Sequence, residues 1–244
     1  MKILPNIEIV DLSLYFDDTL VISDVHIGYE EAINKQGILL PRLQFVEMAK
    51  RMEKIFRELP NKNLDKIIIN GDLKHEFGTI SEQEWRNTLK FHDLLARHCK
   101  EIILIKANDD TTLGPIAKKR NVKAVDYYVV GSANRNKILI AHGDKVHGKL
   151  LLKKISTIII GHEHPAISLK QGPRTETYKC FLKGNYKGKN LIVQPSFNTV
   201  IEGTDILRDR ILSPFLKQNL DNFEVYVVED KIYDFGKLGK LRKT

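Results

Sequence analysis

The sequence predicts an α/β fold in which short buried strands alternate with amphipathic helices. Apolar runs of strand length recur along its 244 residues, as in KIIINGD, EIILIKAND and STIIIGHEH. Two other segments have apolar residues at helical spacing, one opened by Pro41 and one preceded by Ser81. Since no repeat, low-complexity linker or clear boundary divides the pattern, we expect a single domain over residues 1–244.

The individual elements follow from the same patterns. IEIVDLSLYF and TLVISDV predict two strands joined by a turn at Asp17–Asp18, and EQEWRNTLKFHDLLARHC predicts a helix capped by Ser81. In the second half, VKAVDYYVVG, KILIAHG and STIIIGHEHP each predict a strand that ends on a polar loop. KCFLKGNYKGKNLIVQP predicts a hairpin with glycine-rich turns, and VYVVEDKIYDFG predicts a final pair of strands.

The composition argues against several classes of protein. Hydrophobic residues make up 42% of the chain, which allows a sizeable core, and no apolar run approaches the roughly 18 residues of a membrane span. The N-terminus has acidic residues within its apolar stretch and does not resemble a signal peptide. Cys99 and Cys180 are far apart and lack a partner motif, which argues against a disulfide scaffold or a thiolate zinc site and favours a cytoplasmic location.

The formal net charge of +8 has two interpretations. It fits a polyanionic partner such as nucleic acid. It fits a lysine-rich solvated surface equally well, because the basic residues are spread along the chain and form one dense run at Lys237–Lys243.

The most informative feature is the set of polar residues that follow the apolar runs. Five predicted strands end directly on ligand-type residues: TLVISDVH, KIIINGD, EIILIKAND, KILIAHGD and STIIIGHEH. In open α/β sheets, ligands bind beyond the carboxyl ends of the strands. The five strand ends are therefore expected to direct Asp, Asn and His side chains into one crevice.

These residues form a set of candidate metal ligands: Asp24, His26, Asp72, Asn108, His142, His162 and His164. Asp24 and His26 are two residues apart, as are His162 and His164, and on a strand such residues face the same side. Oxygen and nitrogen ligands without sulfur suit manganese, iron or zinc. Two such ions about 3.5–4 Å apart can clamp a phosphoryl group and activate a shared water for in-line attack.

The ordered motifs resemble those of the calcineurin-like metallophosphoesterases, which run D-x-H, G-D, G-N-H-[DE], H and G-H-x-H. The resemblance covers residues from about 20 to 165. The stretches SDVHIGYEEA, NGDLKHEFG, GHEHPA, CFLKG and QPSFN are more specifically similar to archaeal SbcD-related phosphoesterases and to phosphoesterases associated with bacterial DNA ligases. The resemblance implies an α/β fold with a two-sheet β-sandwich flanked by helices, the four-layer metallophosphoesterase fold.

The resemblance also implies how the ligands are divided. Asp24, His26 and His164 would hold one divalent ion, and Asn108, His142 and His162 the other. Asp72 would bridge the two ions. Manganese is the favoured metal, with iron, zinc, nickel and magnesium as alternatives.

One position departs from the family pattern. The histidine that follows the asparagine ligand in the family, and that assists the leaving group there, is Asp109 in this chain. A carboxylate could protonate a leaving group only if its pKa were raised. His75, three residues after Asp72, is a second candidate for the catalytic acid.

Three functions follow as expectations. The first is a metal-dependent phosphodiesterase with nuclease activity in DNA processing, acting on single-stranded DNA or on a small nucleotide. The second, motivated by Asp109, is a metal-binding subunit of a DNA-handling complex with weak or lost catalysis. The third is a cytosolic phosphomonoesterase. Since related enzymes often dimerise, a homodimer is a possible assembly, and no membrane partner is expected.

Overall fold

The computed structural model describes residues 1–75, 81–107, 122–131, 137–148 and 154–242. Contacts along the chain divide it into two compact units. The first unit comprises Met1–Val125 with Phe197–Ile201, and the second comprises Asp126–Ser196 with Glu202–Thr244. The expectation of a single domain stays a prediction.

The first unit contains one sheet of seven strands within the described residues, and their spatial order is their chain order. The first four strands pair antiparallel and the last four pair parallel. The strands are β1 (Lys2–Leu4), β2 (Ile7–Val10), β3 (Ser13–Phe16), β4 (Thr19–Ser23), β5 (Leu64–Asn70), β6 (Cys99–Ile105) and β7 (Lys123–Val125). The carboxyl ends of β4, β5 and β6 consequently lie at the same edge of the sheet.

Among its described residues this unit has three helices: α1 (Tyr29–Lys35), α2 (Gln44–Glu58) and α3 (Glu82–Ala96). The helix expected after Pro41 is α2, and its buried stripe includes Met48, Met52 and Ile55. The expected cap of α3 is present, since the hydroxyl of Ser81 accepts the backbone N–H of Glu84 at 3.1 Å.

The second unit contains one sheet of nine strands within the described residues. Seven of them follow the spatial order β14-β11-β12-β13-β10-β9-β8, while β15 pairs with both β12 and β16. The strands are β8 (Tyr127–Val130), β9 (Lys137–Ala141), β10 (Ile155–Ile160), β11 (Pro165–Gln171), β12 (Arg174–Tyr186), β13 (Lys189–Val193), β14 (Thr204–Asp205), β15 (Glu224–Val228) and β16 (Ile232–Lys237). A short 3-10 helix at Pro214–Leu216 and helix α4 (Leu238–Leu241) also belong to this unit.

The buried core of the second unit lies on its central strands. Ile158, Ile160, Leu182 and Val193 are almost fully inaccessible, and Phe215 of the 3-10 helix belongs to the same cluster. Burying such apolar side chains is the main favourable term in folding. The core therefore fixes the strands whose ends bear the candidate ligands.

The predicted fold class is confirmed, since the chain is a mixed α/β protein with two sheets. The turn at Asp17–Asp18 joins β3 to β4, with positive φ at both residues, and the glycine-rich hairpin joins β12 to β13. The final strand pair is β15 with β16. None of the helices in the described part of the chain is long and apolar enough to span a membrane.

Two strand predictions were wrong in detail. IEIVDLSLYF is not one strand, because the chain reverses at Asp11, where φ is 52°, and forms the hairpin β2–β3. VKAVDYYVVG is also divided, and its two parts join different sheets as β7 and β8. In both segments an aspartate lies at the break, Asp11 in the first and Asp126 in the second, and aspartate is depleted in strands. The sequence therefore contained a signal for each break.

Candidate metal centre

In the first unit, three candidate ligands follow the ends of two adjacent parallel strands. Asp24 and His26 follow β4, and Asp72 follows β5 after a glycine. Their ligand atoms lie within 4.8 Å of one another, and Nε2 of His26 is 3.7 Å from Oδ2 of Asp72. Asp24 is fully buried and His26 is 7% exposed. The structure thus brings together two carboxylates and an imidazole, as the sequence predicted.

The backbone at these ligands differs from the prediction. The sequence predicted that Asp24 and His26 converge because residues two apart face the same side of a strand. The strand β4, however, ends at Ser23, before Asp24. Asp24 and His26 instead adopt left-handed backbone conformations, with φ of 51° and 48°. For an L-residue this conformation costs roughly 1–2 kcal/mol. It persists only where surrounding contacts enforce it.

Hydrogen bonds from elsewhere in the unit hold this loop. The backbone N–H of His26 donates to the carbonyl of Asp72 at 2.8 Å. The carbonyl of His26 accepts Nε2 of Gln44 at 2.8 Å and Nδ2 of Asn198 at 3.3 Å. Oγ of Ser23 lies 2.7 Å from Oδ2 of Asp24 and 2.9 Å from the carbonyl of Asn70. The sequence reasoning missed these supporting side chains.

His75 lies beside the candidate ligands of the first unit. Its ring is 5.6 Å from the His26 ring and 4.7 Å from the Tyr29 ring, with edge-on geometry in both contacts. Its backbone N–H donates to the carbonyl of Ile27 at 3.0 Å. This hydrogen bond fixes the segment that follows Asp72. This position is compatible with the acid role expected for His75.

In the second unit, the three histidines among the candidate ligands follow two adjacent parallel strands. His142 comes directly after β9, and His162 and His164 follow β10. Nδ1 of His162 lies 3.1 Å from Nε2 of His142, and the two rings meet at 71°. His162 and His164 have left-handed backbone conformations, with φ of 65° and 49°, so the expected strand geometry is wrong here too.

A glycine allows the loop of His164 to be held closely. The backbone N–H of Thr204 donates to the carbonyl of His164 at 2.9 Å. Gly203 has a φ of 113°, and a Cβ placed there would lie 2.3 Å from the same carbonyl. Only glycine permits this approach.

Glu163, between the two histidines of the GHEH motif, is a site residue that the sequence reasoning missed. Its carboxylate is inaccessible to solvent and accepts backbone N–H groups of Leu212 and Ser213. Burial raises the pKa of this carboxyl, whereas the two hydrogen bonds lower it. Its identity as a glutamate was visible in the sequence, but its partners are about 50 residues away.

Two predicted site residues lie outside the described residues. They are the ligand Asn108 and the candidate acid Asp109. Their roles stay predictions.

The donor set within each unit fits a divalent cation. Two nitrogens bound at right angles about 2.1 Å from one ion would be about 3 Å apart, close to the His142–His162 separation of 3.1 Å. Both cysteines of the chain are free thiols, and Cys180 is buried in the core. Oxygen and imidazole ligands without sulfur suit manganese, iron or zinc.

Together, the two sheets and the carboxylate and imidazole groups at their strand ends define a metal-binding α/β protein. The chain belongs to the calcineurin-like phosphoesterase family, whose model matches residues 18–201. The resemblance expected from the motifs is thereby confirmed. No curated protein matches the sequence.

Several solved structures are similar to this chain, and one of them supports the assignment of the fold. A nuclease MPE from Pseudomonas putida is 17% identical, with 93% of each chain covered and a TM-score of 0.63. Vps29 from Entamoeba histolytica is 15% identical, with 89% of this chain and 99% of that chain covered and a TM-score of 0.39. Vps29 from Cryptosporidium parvum is 15% identical, with 90% and 97% covered and a TM-score of 0.40. At these identities, the similarity to the nuclease shows a common fold.

Proposed function

We propose that this chain is a metal-dependent phosphodiesterase that cleaves nucleic acid or a small nucleotide. The observation that carries the proposal is the placement of Asp24, His26 and Asp72 within 4.8 Å of one another at the ends of parallel strands. Membership of the calcineurin-like phosphoesterases gives this cluster its expected chemistry.

The proposal assigns two divalent ions to the chain. Following the order of the family's motifs, Asp24, His26 and His164 would hold one, and Asn108, His142 and His162 the other, with Asp72 shared. When bound, such ions lower the pKa of a shared water and neutralise charge on the phosphoryl group. Manganese is proposed as the metal, in keeping with the donor set.

His75 is proposed as the group that protonates the leaving oxygen. Its ring lies beside that of His26, and Tyr29 packs against its edge, so its orientation is restrained. An imidazole titrates near neutral pH and can therefore donate a proton where a carboxylate with an ordinary pKa could not. This role matters because Asp109 replaces the histidine that the family uses.

Two observations favour a nucleic-acid or nucleotide diester as substrate. The formal net charge of +8 attracts polyanions. The neighbour with a TM-score of 0.63 is described as a nuclease. A cytoplasmic location is part of the proposal, and it is supported by the free thiols of Cys99 and Cys180.

A second candidate is a metal-binding subunit with weak catalysis. It is favoured by Asp109, whose carboxylate would repel a phosphate instead of assisting its departure.

One assay separates these functions. The purified protein, loaded with Mn²⁺, is given bis-p-nitrophenyl phosphate, p-nitrophenyl phosphate and single-stranded DNA, in parallel with Asp109→His. Turnover of the diester and of DNA in excess of the monoester supports the proposal. Preferred turnover of the monoester would replace it with a phosphomonoesterase. Activity that emerges only in Asp109→His would establish the weakly catalytic subunit.

A further inference from the structure

Two buried glutamates make the same pattern of hydrogen bonds, one in each unit. In the first unit, Glu30 is 8% exposed and lies on α1, close in sequence to His26. Its Oε1 accepts the backbone N–H of Leu43 at 2.9 Å and that of Gln44. These N–H groups open α2, so Glu30 supplies the acceptor that a helix N-terminus requires.

Gln44 also donates a hydrogen bond to the loop that bears Asp24 and His26. Gln44 is 3% exposed, and its Nε2 donates to the carbonyl of His26 at 2.8 Å. Glu30 therefore fixes the start of α2, and Gln44 transmits that position to a ligand with a strained backbone.

The second unit repeats the arrangement. Oε2 of Glu163 accepts the backbone N–H of Leu212 at 3.0 Å and that of Ser213 at 2.7 Å. The hydroxyl of Ser213 then donates to the carbonyl of Gly143 at 2.7 Å, next to His142. Since Glu163 itself lies between His162 and His164, this network links the two loops that bear the histidine ligands.

We define a carboxylate clamp as such a glutamate together with its Leu–polar pair, namely Glu30 with Leu43–Gln44 and Glu163 with Leu212–Ser213. We propose that the two carboxylate clamps are positioning devices for metal ligands, each setting the metal affinity of the ligands in its own unit. The inference rests on the proposed function in requiring that the chain binds divalent metal.

The energetic reason lies in the strained ligand backbones. His26, His162 and His164 each hold a left-handed conformation that is unfavourable for an L-residue. Hydrogen bonds to a buried carboxylate are among the stronger ones. Such bonds can hold a loop in a strained geometry before a metal binds. Groups that orient metal ligands typically change metal affinity by about 10–100-fold when removed.

The cleanest test removes the hydrogen bond from Gln44 to the carbonyl of His26, or that from Ser213 to the carbonyl of Gly143. Removing a glutamate instead would leave two buried N–H groups unpaired and could unfold the unit. Gln44→Met and Ser213→Ala each remove one donor at nearly constant shape and leave the glutamate paired. Gln218→Met and Ser168→Ala are matched controls, since Gln218 bonds to the carbonyl of Asn185 and Ser168 to Thr177. Glu163→Gln is the conservative variant, since its amide oxygen can still accept both N–H groups, through weaker uncharged hydrogen bonds.

The measurement is a calorimetric titration of Mn²⁺ into chelator-treated protein, with circular dichroism to verify the fold. We expect about a 10–100-fold loss of Mn²⁺ affinity in Gln44→Met and in Ser213→Ala, a smaller loss in Glu163→Gln, and little loss in the controls.

If Gln44→Met and Ser213→Ala are folded and bind Mn²⁺ with unchanged affinity, the clamp proposal is overturned. The proposed metal site is not affected by that result. Wild-type protein that binds no Mn²⁺ would overturn both the clamps and the proposed function. Weakened binding in these variants of a protein that hydrolyses no phosphoester would support the clamps and reject the function.

Discussion

Nδ1 of His162 lies 3.1 Å from Nε2 of His142, although the two residues follow different strands. Without a metal, one imidazole must donate and the other accept at this distance. With a metal, both nitrogens can serve as ligands on adjacent coordination positions. The relationship makes this histidine pair the most direct structural sign of a metal site in the second unit.

The first prediction concerns this pair. In His142→Ala we expect one Mn²⁺-binding step to weaken by at least about 10-fold and phosphodiester hydrolysis to fall by about 100-fold or more, because a proposed ligand is lost. Calorimetric titration and an assay with bis-p-nitrophenyl phosphate measure the two effects. His147→Ala is the matched control, since His147 packs against Tyr127. Equal Mn²⁺ binding in the two variants would remove His142 from the site.

The second prediction concerns the proton donor. His75→Ala should lower hydrolysis of a dinucleotide by about 10²–10⁴-fold, because its alkoxide leaving group needs a proton. Hydrolysis of bis-p-nitrophenyl phosphate should fall much less, since p-nitrophenolate leaves readily without one. Steady-state rates with both substrates, together with an Mn²⁺ titration, test the role. The same loss for both substrates would show that His75 is not the acid.

The third prediction concerns stability at the hairpin between β12 and β13. Lys187 and Gly188 have φ of 50° and 78°, a combination that suits an Asn-Gly turn better than Lys-Gly. Lys187→Asn should stabilise the protein by about 0.5–1 kcal/mol, because asparagine tolerates positive φ. Urea unfolding measures the change. Lys187→Ala provides the control, and an equal gain in that variant would refute the backbone explanation.

The fourth prediction concerns the pH dependence of thiol reactivity. Burial raises the pKa of Cys99 to about 11, which favours the neutral thiol. At pH 8 the reactive thiolate fraction should therefore be roughly 100-fold smaller than for a thiol with a pKa of 9, and it should grow as pH rises toward 11. Ellman's reagent measures the rate, and Cys99→Ser assigns it. Rapid labelling of native Cys99 at pH 7 would contradict the prediction.

Residue type and position in the sequence were sufficient to predict the strand ends that bear candidate ligands and one of the turns. Asp24 and Asp72 follow buried apolar runs that form adjacent parallel strands, so their strand ends lie at the same edge of the first unit's sheet. His142 follows a run of the same kind in the second unit. The turn at Asp17–Asp18 was predictable for a local reason, because short polar residues tolerate positive φ.

What could not be predicted depends on distant partners. The left-handed backbone at His26 is enforced by Gln44 and Asn198, which are 18 and 172 residues away. Glu163 is an ordinary glutamate in the sequence, and its function in the fold depends on Leu212 and Ser213. Local patterns contain no information about such long-range hydrogen bonds.

The proposal that two metal ions share Asp72 is tested most directly by a titration of Mn²⁺ into chelator-treated protein. Wild-type protein and Asp72→Asn are compared by calorimetry, with circular dichroism to verify that both are folded. We predict two bound Mn²⁺ ions per wild-type chain, and loss of at least one binding step in Asp72→Asn, because a bridging carboxylate contributes to both sites. Two Mn²⁺ ions bound with unchanged affinity in Asp72→Asn, or none bound by the wild type, would contradict the account.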